Sequence, residues 1–329
     1  MNKPKVFVTR PLPVEALAML KERCEVEMNT ESRVLPKQEL LKKIEGKDAV
    51  LVVSTPIDEE IFKSVTSQCK IFAAYGVGYE KIDVDAATKY GIVVSNTPEV
   101  VTDATADLVW TLLLSAARRA LECDQFVRSG KKGWGPTNMI GTHVSGKTLG
   151  IIGGGRIGMA VAERGKGFRM DIIYTDVQPN PAFEAATGGT FVDKETVLKE
   201  ADFISLHVPL LPTTQHYISA SELKVMKNTA ILINASRGPV VDEKALVEAL
   251  RDGVIRGAGL DVFEREPELE HGLAELPNVV LTPHIGTSTM DTRIAMGVVC
   301  AQNIFAALEE KLPPNCLNPQ AIISRQSRN

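Results

Sequence analysis

The sequence predicts an α/β protein of two doubly wound, parallel-sheet domains, one inserted into the other. Three observations predict it. Short apolar runs alternate with helical patterns from the start of the chain, which is the grammar of βαβ units. A glycine-rich stretch, Gly153-x-Gly155-x-x-Gly158, stands near the middle of the chain rather than at its start. At 329 residues the chain exceeds one ordinary hydrophobic core, so two domains are expected.

Taken in order, Val6-Phe7-Val8 leads to a helix over 13–22, and Val50-Leu51-Val52-Val53 to one over 58–65. Ile71-Phe72-Ala73-Ala74 and Ile92-Val93-Val94 read as further strands. One long helix is expected over Asp103–Ser129; Ala106, Val109, Trp110, Leu113, Leu114 and Ala117 are too many for one stripe, so it packs on more than one surface. A second series of six strands follows, Thr148–Ile152, Ile172–Thr175, Phe203–His207, Ala230–Asn234, Gly257–Asp261 and Val279–Thr282. Six is the count for two mononucleotide-binding halves. A last helix over 290–308 ends before Pro313-Pro314-Asn315. The expected domains are 1–100 with 288–329, and an inserted nucleotide-binding domain, 101–287, carrying the helix near 103–129.

The glycine stretch follows an apolar strand and opens a helical pattern, Met159–Phe168. In that setting Gly153 makes the tight turn, Gly155 lets backbone approach a pyrophosphate, and Gly158 lets helix and strand pack closely. Asp176 ends the next apolar run, about 20 residues on, where a carboxylate accepts from ribose hydroxyls.

Composition narrows the function. Apolar content of 44%, charged content of 24% and a net charge of −4 describe an ordinary globular protein. No basic cluster extends beyond Lys131-Lys132, so nucleic acid is not an expected partner. No apolar run approaches a membrane span, and the apolar start is too short for a signal peptide. The five cysteines, Cys24, Cys69, Cys123, Cys300 and Cys316, are scattered and form no CxxC. That pattern points to a reducing cytoplasm, with neither disulfides nor a metal site.

Polar residues stand at three strand ends, where open α/β sheets bind ligands. Arg237 follows a buried strand in Asn234-Ala235-Ser236-Arg237-Gly238 and could grip a carboxylate bidentately or be an ordinary loop arginine. Asp261, Glu264 and Glu266 crowd one strand end, with Pro267 after them; His284 follows another strand in Thr282-Pro283-His284-Ile285-Gly286. A histidine so placed suits acid–base work.

These residues resemble a known family, the D-2-hydroxyacid dehydrogenases. The resemblance runs nearly the full length: Tyr75-Gly76-Val77-Gly78-Tyr79 with Ile82-Asp83, Thr105-Ala106-Asp107, Trp134-Gly135-Pro136, the glycine loop, His207-Val208-Pro209-Leu210, and the three strand-end segments. Asp107 departs from the Glu that many members carry. The resemblance implies two Rossmann-like domains, with the dinucleotide-binding one inserted into a flavodoxin-like substrate or catalytic domain.

It also implies roles. His284 would protonate a substrate carbonyl as NADH delivers hydride, and Glu266 would hydrogen-bond His284 and hold it protonated. Arg237 would bind carboxylate and carbonyl oxygens, completed by backbone N–H groups of Val77 and Gly78. Asp261 and Gly286 would face the nicotinamide, and Thr105 would touch the cofactor. His207 and Pro209 would lie beside the adenine ribose. Arg156 and Ile157 of the glycine loop, with Ala235 and Ser236, complete the implied cofactor contacts.

Asp176, followed by Val177-Gln178-Pro179-Asn180 without Arg or Lys, favours NAD over NADP. Formate-oxidising relatives carry Gln at Glu266, phosphoglycerate-oxidising ones Arg at Ala74, and phosphite-oxidising ones Lys near Val77. A small 2-keto acid is left, glyoxylate or hydroxypyruvate, with Ser54-Thr55-Pro56 a candidate lining of its pocket. Phosphite or another 2-hydroxyacid is the alternative within the family. An NAD-sensing corepressor-like binding protein is the alternative of another class. A homodimer is expected, from the apolar excess of the helix near 103–129 and from the resemblance.

Overall fold

The computed structural model describes residues 3–65, 68–133 and 135–322. Trp134 of the Trp134-Gly135-Pro136 match lies outside the described residues, as do residues 323–329 of the expected outer domain. The described chain divides into two units, 1–101 with 287–329, and 102–286.

In the first unit β1 (Lys5–Val8) is followed by a 3-10 turn, Glu15–Leu17, and by α1 (Ala18–Arg23). Then come β2 (Glu25–Met28), α2 (Lys37–Ile44), β3 (Ala49–Val52), α3 (Glu59–Ser64), β4 (Ile71–Ala74), α4 (Val84–Lys89) and β5 (Val93–Ser95). β3 and β4 are buried at every residue, as strands covered on both faces must be. Asp58 and Asp83 cap α3 and α4 by accepting from the N–H groups of Ile61 and Ala86. The five strands are all parallel in the order β2-β1-β3-β4-β5, the flavodoxin-like order.

The second unit begins with α5 (Thr102–Arg118) and α6 (Ala120–Arg128). The single helix expected over Asp103–Ser129 is thus two. Arg119 is left-handed at φ +55°, and the Thr142 N–H takes the Ala117 carbonyl at 2.7 Å. No glycine or proline marks that break, because a distant strand of backbone makes it. α5 buries Val109, Trp110, Leu112 and Leu113 inside its own unit. Trp110 stacks on Phe168 at 4.7 Å and donates to the Val161 carbonyl. The apolar excess of this helix is therefore used within the unit, whereas α6 buries none of its residues.

The unit continues through β6 (Thr148–Ile152), α7 (Arg156–Gly167), β7 (Asp171–Thr175), α8 (Pro181–Thr187), β8 (Thr190–Phe191), α9 (Lys194–Glu200) and β9 (Phe203–Leu206). After these come α10 (Ala220–Val225), β10 (Ile231–Asn234), α11 (Glu243–Arg251), β11 (Gly257–Leu260) and β12 (Val279–Leu281). The sheet has seven strands, not six, in the order β12-β11-β10-β9-β6-β7-β8, with every pair parallel. The extra strand, β8, is two residues long and extends the sheet beyond β7. The winding reverses between β6 and β9, the switch point at which dinucleotides bind in this architecture.

α12 (Met290–Leu308) returns the chain to the first unit. Its Met296, Cys300, Ala301 and Ile304 join Val6, Leu51, Ile71 and Val93 in one core. Among the described residues no helix is long and apolar enough to cross a membrane.

Candidate active site

The glycine loop follows β6. The Gly153 N–H donates to the Thr175 carbonyl at 2.9 Å, turning the chain toward α7. A Cβ on Gly158 would stand 2.1 Å from the Gly153 carbonyl oxygen, so only glycine lets helix and turn come this close. A Cβ on Gly155 would meet nothing within 4 Å, leaving open space at the helix start. α8, α9, α10 and α11 are capped by the side chains of Asn180, Asp193, Ser219 and Asp242, whereas Gly155 gives α7 none. Gly155 thus has no side chain with which to cap the N–H groups at the head of α7. They fit the anionic bridge of a dinucleotide.

Asp176 stands at the end of β7 and is exposed. Its carboxylate accepts from the N–H groups of Gly154 and Val177, each at 2.7 Å, which holds it against the loop. Asn180, unassigned by the sequence reading, donates to the Gly154 carbonyl at 3.0 Å while capping α8. An Asn directly before a Pro is a helix-start signature that could have revealed the cap. His207 follows β9, with Nε2 at 2.9 Å from Ser205 Oγ; burial pushes its pKa down to about 3, so the ring is neutral. Pro209 is exposed in the same segment, and its carbonyl accepts from Thr214 Oγ1.

At the end of β10 the buried Asn234 shapes the next turn. Its Oδ1 accepts from the N–H and Oγ of Ser236, and its Nδ2 donates to the Arg237 carbonyl at 2.9 Å. Ala235 and Ser236 are half-buried there, as is Arg237, whose Nη1 donates to the Ser236 carbonyl. Gly238 then passes so close to the next segment that a Cβ would lie 1.9 Å from the Phe263 oxygen.

Asp261, just past β11, is buried and holds the turn after β12. It accepts from Thr282 Oγ1 at 2.6 Å, the Ile285 N–H at 2.8 Å and the Gly286 N–H at 2.9 Å. Burial pushes the Asp261 carboxyl up, against the pull of those hydrogen bonds. Thr105 of α5 lies beside Gly286, whose Cβ would be 3.5 Å from the threonine methyl. The turn keeps His284 left-handed at φ +54°, with its N–H on the Asp261 carbonyl at 2.8 Å.

His284 Nδ1 faces both oxygens of Glu266, at 3.1 and 3.0 Å. An ionised carboxylate only accepts, so Nδ1 carries the proton of that bond and Nε2 is left for other partners. The Phe263 N–H also donates to Glu266 Oε1, at 3.2 Å. The three acids that crowd one strand end in sequence thus diverge: Asp261 to the turn, Glu266 to His284, and Glu264 to His216 at 2.7 Å. Val77 and Gly78 belong to the first unit, in the segment after β4, where the Val77 carbonyl accepts from Asn96 Nδ2 at 2.9 Å.

Residues 110–286 match the D-isomer specific 2-hydroxyacid dehydrogenase NAD binding domain. A glyoxylate reductase of Thermococcus litoralis is 49% identical over 328 residues, 98% of this chain and 99% of that protein. A crystal structure of a glyoxylate reductase from Paecilomyes thermophila is 32% identical with a TM-score of 0.86, covering 97% of this chain and 100% of that one. An NADPH-dependent glyoxylate/hydroxypyruvate reductase from Sinorhizobium meliloti, solved with NADP and malonate, is 29% identical with a TM-score of 0.83; 97% of this chain and 98% of that one are covered. The chain belongs to the D-isomer-specific 2-hydroxyacid dehydrogenase family. Within it the chain is glyoxylate reductase-like, a 2-hydroxyacid oxidoreductase that works with a nicotinamide dinucleotide.

Proposed function

We propose that this enzyme reduces a small 2-keto acid, glyoxylate first and hydroxypyruvate second, with NADH preferred over NADPH and His284 as proton donor. The observation that carries the reading is the His284–Glu266 pair, Nδ1 held by both carboxylate oxygens at 3.1 and 3.0 Å. When bound, the reduced dinucleotide supplies a hydride to the carbonyl carbon. His284 gives its Nε2 proton to the carbonyl oxygen as that oxygen gains charge, and Glu266 steadies the ring through Nδ1. Arg237 offers a planar fork to the carboxylate and carbonyl oxygens, which a guanidinium suits better than an ammonium. Cationic donors aimed at a developing alkoxide stabilise the transition state more than the ground state. The substrate-carboxylate role of the Val77 and Gly78 N–H groups rests on the family match.

Cofactor contacts are assigned to Thr105, the glycine loop with Arg156 and Ile157, Asp176, His207, Pro209, Ala235, Ser236, Asp261 and Gly286. The preference for NADH rests on Asp176, whose charge at the end of β7 would repel a ribose phosphate. We read the unit 102–286 as the dinucleotide domain and the unit formed by 1–101 and 287–329 as the substrate domain. A homodimer is also proposed, through α6, on which Leu121 and Val127 are exposed. A cytoplasmic location rests on the scattered cysteines, which contain no CxxC.

The test is a panel of 2-keto acids assayed against NADH and NADPH. Steady turnover of glyoxylate with NADH supports the reading. Binding of dinucleotide without turnover of any keto acid would point instead to an NAD-sensing binding protein.

A further inference from the structure

Three strand-end segments of the second unit are tied together by one side-chain pair that the reaction does not use directly. Glu264 Oε1 meets His216 Nε2 at 2.7 Å, and Glu264 Oε2 accepts from the Glu243 N–H at the start of α11, at 3.3 Å. His216 lies beyond β9. It is left-handed at φ +49°, its N–H donates to the Pro239 carbonyl at 2.7 Å, and the next residues pair Ile218 with Val241. The His216 segment is thereby bound along the segment that follows Arg237. Glu264 stands two positions before Glu266 and beside Phe263, whose N–H donates to Glu266 and whose carbonyl crowds Gly238. Glu243 itself is 3% exposed, and burial pushes its carboxyl up.

We propose that Glu264, braced by His216, is a positioning residue for the reduction: it sets the place of Glu266 and, through it, the orientation of His284. The inference rests on the reading of His284 and Glu266 given above. Both oxygens of Glu264 are engaged by groups from different segments, so its loss removes two ties from the 262–267 segment, two positions before Glu266. Glutamine can replace it. The amide oxygen can accept from the Glu243 N–H while the amide nitrogen donates to a neutral His216 ring.

The test is a double-mutant cycle in the full-length enzyme with glyoxylate and NADH. Glu264→Ala should lower kcat roughly 10- to 100-fold, the scale of a misplaced catalytic group. NADH Kd, read by fluorescence, should stay within about twofold, since the glycine loop is untouched. Glu264→Gln should restore most of the rate, and His216→Ala should lower kcat in the same direction as Glu264→Ala. On a Glu266→Ala background, Glu264→Ala should cost less than about twofold more, because its effect passes through Glu266.

Wild-type kcat in Glu264→Ala with a depressed kcat in Glu266→Ala overturns this inference alone. So does a loss that persists undiminished on the Glu266→Ala background, which would mark general loosening. Wild-type kcat in Glu266→Ala overturns the underlying reading, and this inference with it. If Glu264→Ala does not fold, the same cycle run with His216→Ala decides by the same criteria.

Discussion

Replacing Gly238 with alanine should damage catalysis far beyond its size. The added carbon would lie 1.9 Å from the Phe263 oxygen, 2.0 Å from the Phe263 carbonyl carbon and 2.5 Å from the Glu264 nitrogen. Ordinary contact for such atoms is about 3.5 Å, so the two segments must part by roughly 1.5 Å. All three atoms are backbone, and no side-chain rotation can relieve the overlap. Forced repacking of this kind costs about 3 kcal/mol, which for a domain of this size lowers Tm by about 6–12 °C. One of the parted segments carries Arg237 and the other Glu266. A misplacement near 1 Å between groups that act on one substrate costs about 100-fold in kcat/KM. Steady-state reduction of glyoxylate and a thermal melt together test this. A variant within threefold of wild-type kcat/KM at an unchanged Tm would refute the reasoning.

Arg237→Lys keeps the charge but loses the two-pronged donor, and kcat/KM should fall about 100-fold or more; near-wild-type kinetics would remove Arg237 from the site. Asp176→Ala should raise the NADPH/NADH ratio of kcat/KM, and a wild type that already prefers NADPH would overturn the reading of that carboxylate. Burial opposes the Glu222 carboxylate, but hydrogen bonds from Ser219, Lys194 and Ser221 outweigh it and pull the pKa down to about 2 from the ordinary 4.5. Its stabilising effect is therefore present above pH 4.5 and lost as the pH falls toward 2. Glu222→Gln should cost about 1 kcal/mol at neutral pH, and thermal melts of variant and wild type should converge near pH 2. Light scattering should give a dimer mass at micromolar concentration, and Leu121→Lys with Val127→Glu on α6 should give a monomer; a monomeric wild type would end that proposal.

Much of the fold was legible because buried parallel strands are unbroken apolar runs. Val50–Val53, Ile71–Ala74 and Ala230–Asn234 read directly as strands, and β3, β4 and β10 lie within one residue of those bounds. Edges were not legible. β2 reads Glu-Val-Glu-Met and is nowhere fully buried, and β8 is too short to show a period. The break at Arg119 was hidden because Thr142, far along the chain, takes a carbonyl that the helix would have used. At the site, placement at strand ends was readable for Arg237, Glu266 and His284. That Glu264 and Glu266 reach different histidines was not, since both stand in one short acidic stretch and only tertiary packing separates them.

The return of α12 to the first unit has a consequence for how the chain is made. Its Gly297 seats against the Ala16 carbonyl, where a Cβ would come within 1.9 Å, and its Met296, Cys300 and Ile304 cover the first sheet. On a ribosome, β1 to β5 emerge early and then wait, with one face covered only in part by Leu17 and Leu20, while the whole of 102–286 is synthesised. The inserted unit holds every strand of its own sheet and can close first. The nascent chain therefore spends most of its synthesis with a partly covered apolar sheet near its start, the stage at which chaperones find such surfaces.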